Sequence, residues 1–387
     1  MQRPIYLDYQ ATTPMDERVL VAMMPYFTDY FGNSSSQHLY GWEADSAIKQ
    51  ARSAIADSIN GTAKEIIFTS GATEANNLAI KGVAEAYFSQ GKHLITVQTE
   101  HRAVLDPCHY LESLGFEVTY LGVDPEGLIN LQELEDLIRP DTILVSVMAA
   151  NNEIGVLHPL AAIGEICHRH QVLFHTDAAQ AIAKIPLDVE KMQIDLMSIT
   201  AHKLYGPKGI GALYIRKRNP KVTIATRHCV IAPQMHGGGQ EQGLRAGTLY
   251  TPQIVGFAQA ISLGLAELEQ EGQRQQILRD KLWNAINTLD GIYLNGHFRD
   301  RLPGNLNISI EGVKGTSLLL ALQPAIALSS GSACSASSPN PSHVLIALGR
   351  SKNLAQASLR LALGRFTTLQ EVDLAAEQII KTIQSLR

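Results

Sequence analysis

Three short segments carry side chains that could do chemistry together. The first is Ser70-Gly71-Ala72-Thr73-Glu74, which follows an apolar run and opens a helical one. A helix N-terminus offers unpaired N–H groups and the positive end of a dipole, so it can hold a phosphate. Gly71 lets the backbone approach, Thr73 adds a hydroxyl, and the plainer reading is an ordinary helix start. The second is Asp177, in Phe174-His175-Thr176-Asp177-Ala178-Ala179-Gln180. A carboxylate at the end of a buried strand needs a partner. It is either a helix cap or the counter-charge of a protonated ring nitrogen. The third is Lys203, in Thr200-Ala201-His202-Lys203, before a glycine-containing turn. A partly buried lysine can lose its proton and form a Schiff base, whereas a solvated loop lysine does neither. An anion cradle, a strand-end acid and a strand-end amine are what pyridoxal phosphate requires of its host.

The elements that must position these groups are legible as alternation. Strands are predicted at Glu65–Ser70, Leu94–Gln98, Val118–Val123, Thr142–Met148, Val172–Thr176, Leu196–Thr200 and Ile210–Ile215. Most are almost continuously apolar, as strands covered on both faces must be. Helices are predicted at Glu43–Ile59, Glu74–Phe88, Ala103–Leu114 and Leu160–His170. This is an α/β pattern around a mostly parallel sheet sandwiched by helices. After Thr251 the pattern changes. Pro252 opens a helical stretch to about Leu289. Strands at Leu306–Ile310 and Ala325–Ser329 and helices at Ser317–Leu322 and Leu369–Leu386 then read as a smaller α+β unit. Ser329–Ser342 is rich in Ser, Ala, Gly and Pro and reads as an exposed loop. The expected organisation is a large domain over residues 15–255 and a small one formed by 1–14 and 256–387, the latter carrying the loop 329–342.

In their order and spacing these segments resemble the fold-type I pyridoxal-phosphate enzymes. More narrowly, they resemble the group I (NifS/IscS-like) cysteine desulfurases. The likeness begins at Ile5-Tyr6-Leu7-Asp8-Tyr9 and Ala11-Thr12-Thr13-Pro14 and runs through Phe68–Glu74 and Thr99-Glu100-His101. It continues at Asn151-Asn152-Glu153-Ile154-Gly155, around Asp177 and Lys203, and at Met235-His236-Gly237-Gly238-Gly239 and Gly243–Thr248. It ends at Ser329-Ser330-Gly331-Ser332-Ala333-Cys334 and Leu359-Arg360.

The resemblance implies roles by position. Lys203 would bear the cofactor, Asp177 would pair with its ring nitrogen and Gln180 would bond its ring oxygen. His101 would stack on the ring and help move protons. Thr73, Thr200 and His202 would hold the phosphate. Thr248 would reach the phosphate of a partner subunit, so a homodimer is implied. Asn152, counted with the cofactor site as well, and Arg360 would hold the substrate carboxylate, to which a planar guanidinium is matched. Cys334 would take sulfur from L-cysteine as a persulfide, leaving L-alanine, and pass it to a sulfur-acceptor or iron–sulfur scaffold protein. Selenocysteine lyase, cystine/cysteine C–S lyase and a non-catalytic scaffold are the alternatives on the same frame. Thr200 stands where many relatives have serine, which keeps the hydroxyl. The stretch Arg218–Pro233 looks longer than usual: it reads as a surface insertion or as a second sulfur relay at Cys229.

Composition narrows the class. The 387 residues are 45% hydrophobic and 18% charged, with a net charge of −5, which fits a folded protein of two or three domains. The charge argues against nucleic acid or an anionic membrane as partner. No stretch reaches the roughly 20 apolar residues of a membrane span, and Met1–Asp8 has no leader-like apolar core. Four scattered cysteines, Cys108, Cys167, Cys229 and Cys334, without a CxxC pair, point to a reducing cytoplasm. Cys108 reads as packing. Cys167-His168-Arg169-His170 is not expected to bind metal, because neighbouring helix positions point in different directions.

Overall fold

The structure, a computed structural model, describes residues 3–217, 229–330 and 341–387. Its strands, in chain order, are β1 (Ile5–Tyr6), β2 (Ile66–Thr69), β3 (His93–Val97), β4 (Glu117–Leu121), β5 (Thr142–Ser146), β6 (Leu173–Asp177), β7 (Leu196–Thr200), β8 (Gly211–Ile215), β9 (Ile292–Leu294), β10 (Asn305–Ile310), β11 (Ile326–Ala327) and β12 (Ser358–Ala362).

Seven of them form one sheet in the order β2-β8-β7-β6-β5-β3-β4. β8 is antiparallel to both neighbours, and the other pairings are parallel. Six carboxyl ends therefore lie along one edge of the sheet, where ligands bind in such folds. The apolar runs cover both faces by simple alternation. Leu94, Leu144, Leu173 and Leu196 join a core under the helices Ala72–Ala86 and Arg102–Ser113. Their neighbours Ile95, Val145, Phe174 and Met197 join the opposite core, shared with the helices Leu39–Asp57, Leu160–Arg169 and Thr251–Ala266. All seven strands of this sheet fall within one or two residues of their predicted positions.

A further apolar core surrounds the antiparallel sheet β12-β10-β9. It is packed by the helices Leu268–Ile286 and Leu369–Leu386 and by Leu7, which follows β1. The chain's start reaches this region by pairing β1 with β11. The single helix expected from Pro252 to Leu289 is instead two, broken at Glu267 (φ −104°, ψ 2°). One half follows the large core and the other the small one, and Arg18 and Arg365 both pair with Glu267 at the break. Three strands escaped prediction: β1 is only two residues long. β9 is only three residues long, and β12 has a buried arginine at its centre, which interrupts its hydropathy. The predicted loop Ser329–Ser342 lies mostly outside the described residues.

Candidate active site

The carboxyl edge of the large sheet opens into a cavity of about 490 Å³, within the usual range for cofactor and small-ligand sites. Thr73, His101, Asn152, Asp177, Gln180, Thr200, His202, Lys203 and Arg360 all line it. Of the remaining candidates, Thr248 is exposed and is not among the lining residues. Cys334 lies outside the described residues.

The anion cradle forms where β2 turns into the helix Ala72–Ala86. Gly71 takes φ 154°, ψ 178°, a conformation essentially reserved for glycine. The helix start has no side-chain cap, so its first N–H groups are available to an anion. Glu74 is kept from serving as that anion. It accepts from the Ser70 N–H at 2.7 Å and pairs with Arg245 at 2.7 Å. That pair also ties the segment leading to Thr248 to the cradle. Gly211, at the start of β8, has no room for a side chain: a Cβ there would sit 2.5 Å from the Ile199 carbonyl oxygen and 2.8 Å from Gly71.

Asp177 ends β6 and is 6% exposed. Its Oδ2 accepts from the Asn76 amide at 2.7 Å and its Oδ1 from the Ala179 N–H at 2.9 Å. Behind it Glu100, 0% exposed, has its carboxyl pushed well up by burial and then by the Asp177 charge. Its Oε1 accepts the Met148 N–H.

His101 caps the helix Arg102–Ser113 by accepting the Ala103 N–H on Nδ1 at 3.1 Å. Burial, and then the charge of Lys203, lower its proton affinity. The neutral ring must therefore carry its proton on Nε2. His202 is likewise neutral, held near 4 by burial and then by Lys203. The Gln180 amide is oriented from both ends. Its Nε2 donates to the Gln10 carbonyl at 2.8 Å, and Lys184 Nζ donates to its Oε1 at 3.4 Å. Burial and then Lys203 bring Lys184 down to about 7.

The N-terminal segment clasps the lysine turn. The His202 carbonyl accepts the Thr12 and Thr13 hydroxyls at 3.3 and 3.0 Å and the Thr13 N–H at 2.9 Å. Tyr205 N–H donates to the Thr13 hydroxyl at 2.8 Å. Sequence reasoning saw this segment only as part of the resemblance and gave Asp8, Gln10, Thr12 and Thr13 no role. Their contacts lie between 170 and 352 positions away in the chain, and no local pattern announces them. Asn76 was missed too, although it stands one turn into the cradle helix on a buried face.

The other cysteines are apart from the cavity. Cys108 and Cys229 are buried in one apolar core, and burial raises both thiols, Cys108 to about 12. Cys167 is buried in the opposite core, whereas His170 bonds Glu135 at the surface.

The profile of the aminotransferase class-V family matches residues 5–374. The chain belongs to this family. Among curated class-V relatives, cysteine desulfurase IscS of Neisseria meningitidis serogroup C is 54% identical over 388 residues, covering 100% of this chain and 94% of that protein. Cysteine desulfurase IscS of Ehrlichia chaffeensis is 52% identical, with 99% and 92% covered. Among solved structures, a NifS-like protein superposes with a TM-score of 0.90 at 37% identity, covering 99% of this chain and all of that one. A structure described as SspA in complex with cysteine gives 0.82 at 40% identity, covering 94% and 100%. The expected fold type and family are thus borne out.

Proposed function

We propose that this class-V chain is a pyridoxal-phosphate-dependent cysteine desulfurase that converts L-cysteine to L-alanine and retains the sulfur as a persulfide on Cys334. The observation that carries the reading is the joining, in one cavity, of Lys203, Asp177, Arg360 and an uncapped helix start. Full-length identity to cysteine desulfurases supports it.

The residues present fit the cofactor. Gly71, Thr73, Thr200 and His202 would take the phosphate, Asp177 the ring nitrogen, Gln180 the ring oxygen and Lys203 the aldehyde carbon. When bound, the group supplies an electron sink for the substrate's Cα.

The chain's own residues do the rest. Asp177 is held in place by its hydrogen bonds to Asn76 and Ala179. Gln180 presents an N–H, since its oxygen is taken by Lys184. Lys203 Nζ is the base for the Cα proton. His101 presents its Nε2–H to the cavity as a hydrogen-bond donor, because Nδ1 is engaged by Ala103. Asn152 and Arg360 seat the substrate carboxylate. The Cys334 thiolate forms an S–S bond as the substrate's Cβ–S bond breaks. The carbon fragment keeps the bonding electron pair, gains protons and leaves as L-alanine.

The acting form in this reading is a homodimer. Leu20, Met24, Phe27, Phe31, Trp42 and Tyr250 are large, apolar and exposed. Phe27 and Tyr250 are in ring contact at 6.2 Å, so this surface is continuous with the segment presenting Thr248 to the other subunit. An acceptor or iron–sulfur scaffold protein would receive the sulfur. No helix among the described residues is long and apolar enough to cross a membrane, and the described cysteines are buried and form no disulfide with one another. Both suit the cytoplasmic setting we assign. A division into a large and a small part has two separate apolar cores as its support, but the helix Thr251–Ala266 packs in the larger one, so the boundary falls near Glu267 rather than at residue 255.

Radiosulfur-labelled L-cysteine tests the reading. Label should be recovered on the peptide containing Cys334 and released by thiol reductant. Label on another cysteine, or none on the protein, contradicts it.

A further inference from the structure

Arg360 has a partner that the reading above does not use. The residue is 1% exposed, and its Nη2 donates to Asp8 Oδ1 at 2.7 Å. Nη1 donates to the Asn152 carbonyl at 2.9 Å, and Nε is buried with no partner. The second oxygen of Asp8 accepts the Ser329 hydroxyl at 2.9 Å. The Ser329 carbonyl in turn accepts the Arg360 N–H at 2.7 Å. Asp8 and Arg360 are 352 positions apart and meet because β1 and β12 lead their segments to one edge of the site.

A guanidinium this deep requires an anion whenever no substrate is present, since an isolated buried charge is costly. Asp8 is that anion. An amino-acid carboxylate reaching Arg360 therefore meets a cation already partly neutralised and a second carboxylate beside it, an arrangement that disfavours two ionised groups.

We infer that Asp8 is a resident counter-ion which competes with bound carboxylates for Arg360 and so sets the affinity of the site for amino acids. The inference rests on the reading of Arg360 as the carboxylate clamp. Asp8 touches no reacting atom. It is a positioning residue that acts through Arg360. Substrate and product carry the same carboxylate, so a competitor on the clamp weakens retention of both and favours the departure of L-alanine. Ser329 tempers the competition. By occupying Oδ2, it keeps Asp8 from closing a two-point fork on the guanidinium.

Calorimetric titration of the cofactor-loaded full chain with L-alanine tests this. Asp8→Asn preserves the shape and leaves an acceptor for Nη2 while removing the charge. It should bind L-alanine roughly fivefold to tenfold more tightly, the scale of one partly screened like-charge contact. Cysteamine, an aminothiol without a carboxylate, should bind native and Asp8→Asn protein alike. Ser329→Ala frees Oδ2 for Arg360 and should weaken L-alanine binding by about twofold or more. Unchanged or weaker L-alanine binding by Asp8→Asn overturns the inference, as does equal tightening toward cysteamine. If Asp8→Asn does not fold, Ser329→Ala decides, and unchanged or tighter binding there overturns it. Arg360→Lys separates this result from a failure of the underlying reading. If that variant binds L-alanine as the native protein does, Arg360 is not the clamp at all.

Discussion

The floor and the rim of the cavity are built in different ways. The floor consists of strand ends and the turns that follow them, and each functional side chain lies within a few residues of a strand of one sheet. Asp177 is the last residue of β6, and Lys203 comes three positions after β7. The rim is assembled from segments that meet only in the folded chain. Arg360 comes from the small antiparallel sheet, Asp8 from the N-terminal segment and Asn152 from the stretch after β5. The floor is placed by neighbouring hydrogen-bonded strands, whereas the rim depends on two apolar cores being in register. A defect in the floor should therefore abolish cofactor retention, whereas a defect in the rim should leave the cofactor bound and alter what the site does with amino acids.

The strongest break is Lys203→Ala. In the proposed reading it removes both the amine that bears the cofactor and the base for the Cα proton, so turnover should fall to background and borohydride should no longer fix cofactor to the protein. Normal L-alanine formation by this variant would contradict the floor assignment. Arg360→Ala should act on the rim alone. The KM for L-cysteine should rise by about tenfold or more, the visible spectrum of bound cofactor should persist, and the melting temperature should drop because Asp8 loses its cation. Loss of cofactor would show that floor and rim are not separable. Gly211→Ala tests the cradle through packing. Its Cβ would press on Gly71 and the Ile199 carbonyl, so the cofactor dissociation constant, measured by dialysis, should rise by about tenfold, the scale of an overpacked core position. Gly122→Ala, where nothing lies within 4 Å of the added carbon, is the matched control and should change little.

The smallest effect is expected away from both regions. Cys108 is raised to about 12 and Cys229 well above the usual thiol range, both chiefly by burial. At neutral pH these groups are un-ionised thiols, and the thiolate fraction grows only as pH climbs toward those values. Brief iodoacetamide treatment of the folded protein should leave Cys108 and Cys229 unmodified by peptide mass and should abolish activity through Cys334. Fast labelling of Cys229 would revive a second sulfur relay there.

The same contrast explains what could be read in advance. Strand-end chemistry is local. Thr73, Asp177, Gln180 and Lys203 stand in short segments whose hydropathy also reveals the strand beside them, and the structure gathers all four in one cavity. The rim lacks such a signal. β12 escaped because the buried Arg360, the proposed carboxylate clamp, interrupts its apolar run. The break at Glu267 escaped because the helical pattern continues through it, while the arginines that pair with Glu267 come from distant segments. Asp8 and Gln10 escaped because their partners are hundreds of positions away. Resemblance supplied the role of Arg360, but only the folded chain shows the carboxylate already resting on it.

The central claim is that sulfur leaves L-cysteine for a protein thiol and that the carbon skeleton leaves as L-alanine. Its most direct test is to incubate the cofactor-loaded protein with L-cysteine, without reductant, in a single turnover, and to quantify L-alanine, pyruvate and Cys334 persulfide together. The account predicts L-alanine and Cys334 persulfide in equal amounts, without pyruvate, and neither product from Cys334→Ala. Pyruvate with ammonia and free sulfide, unaffected by Cys334→Ala, would contradict it and make the protein a C–S lyase.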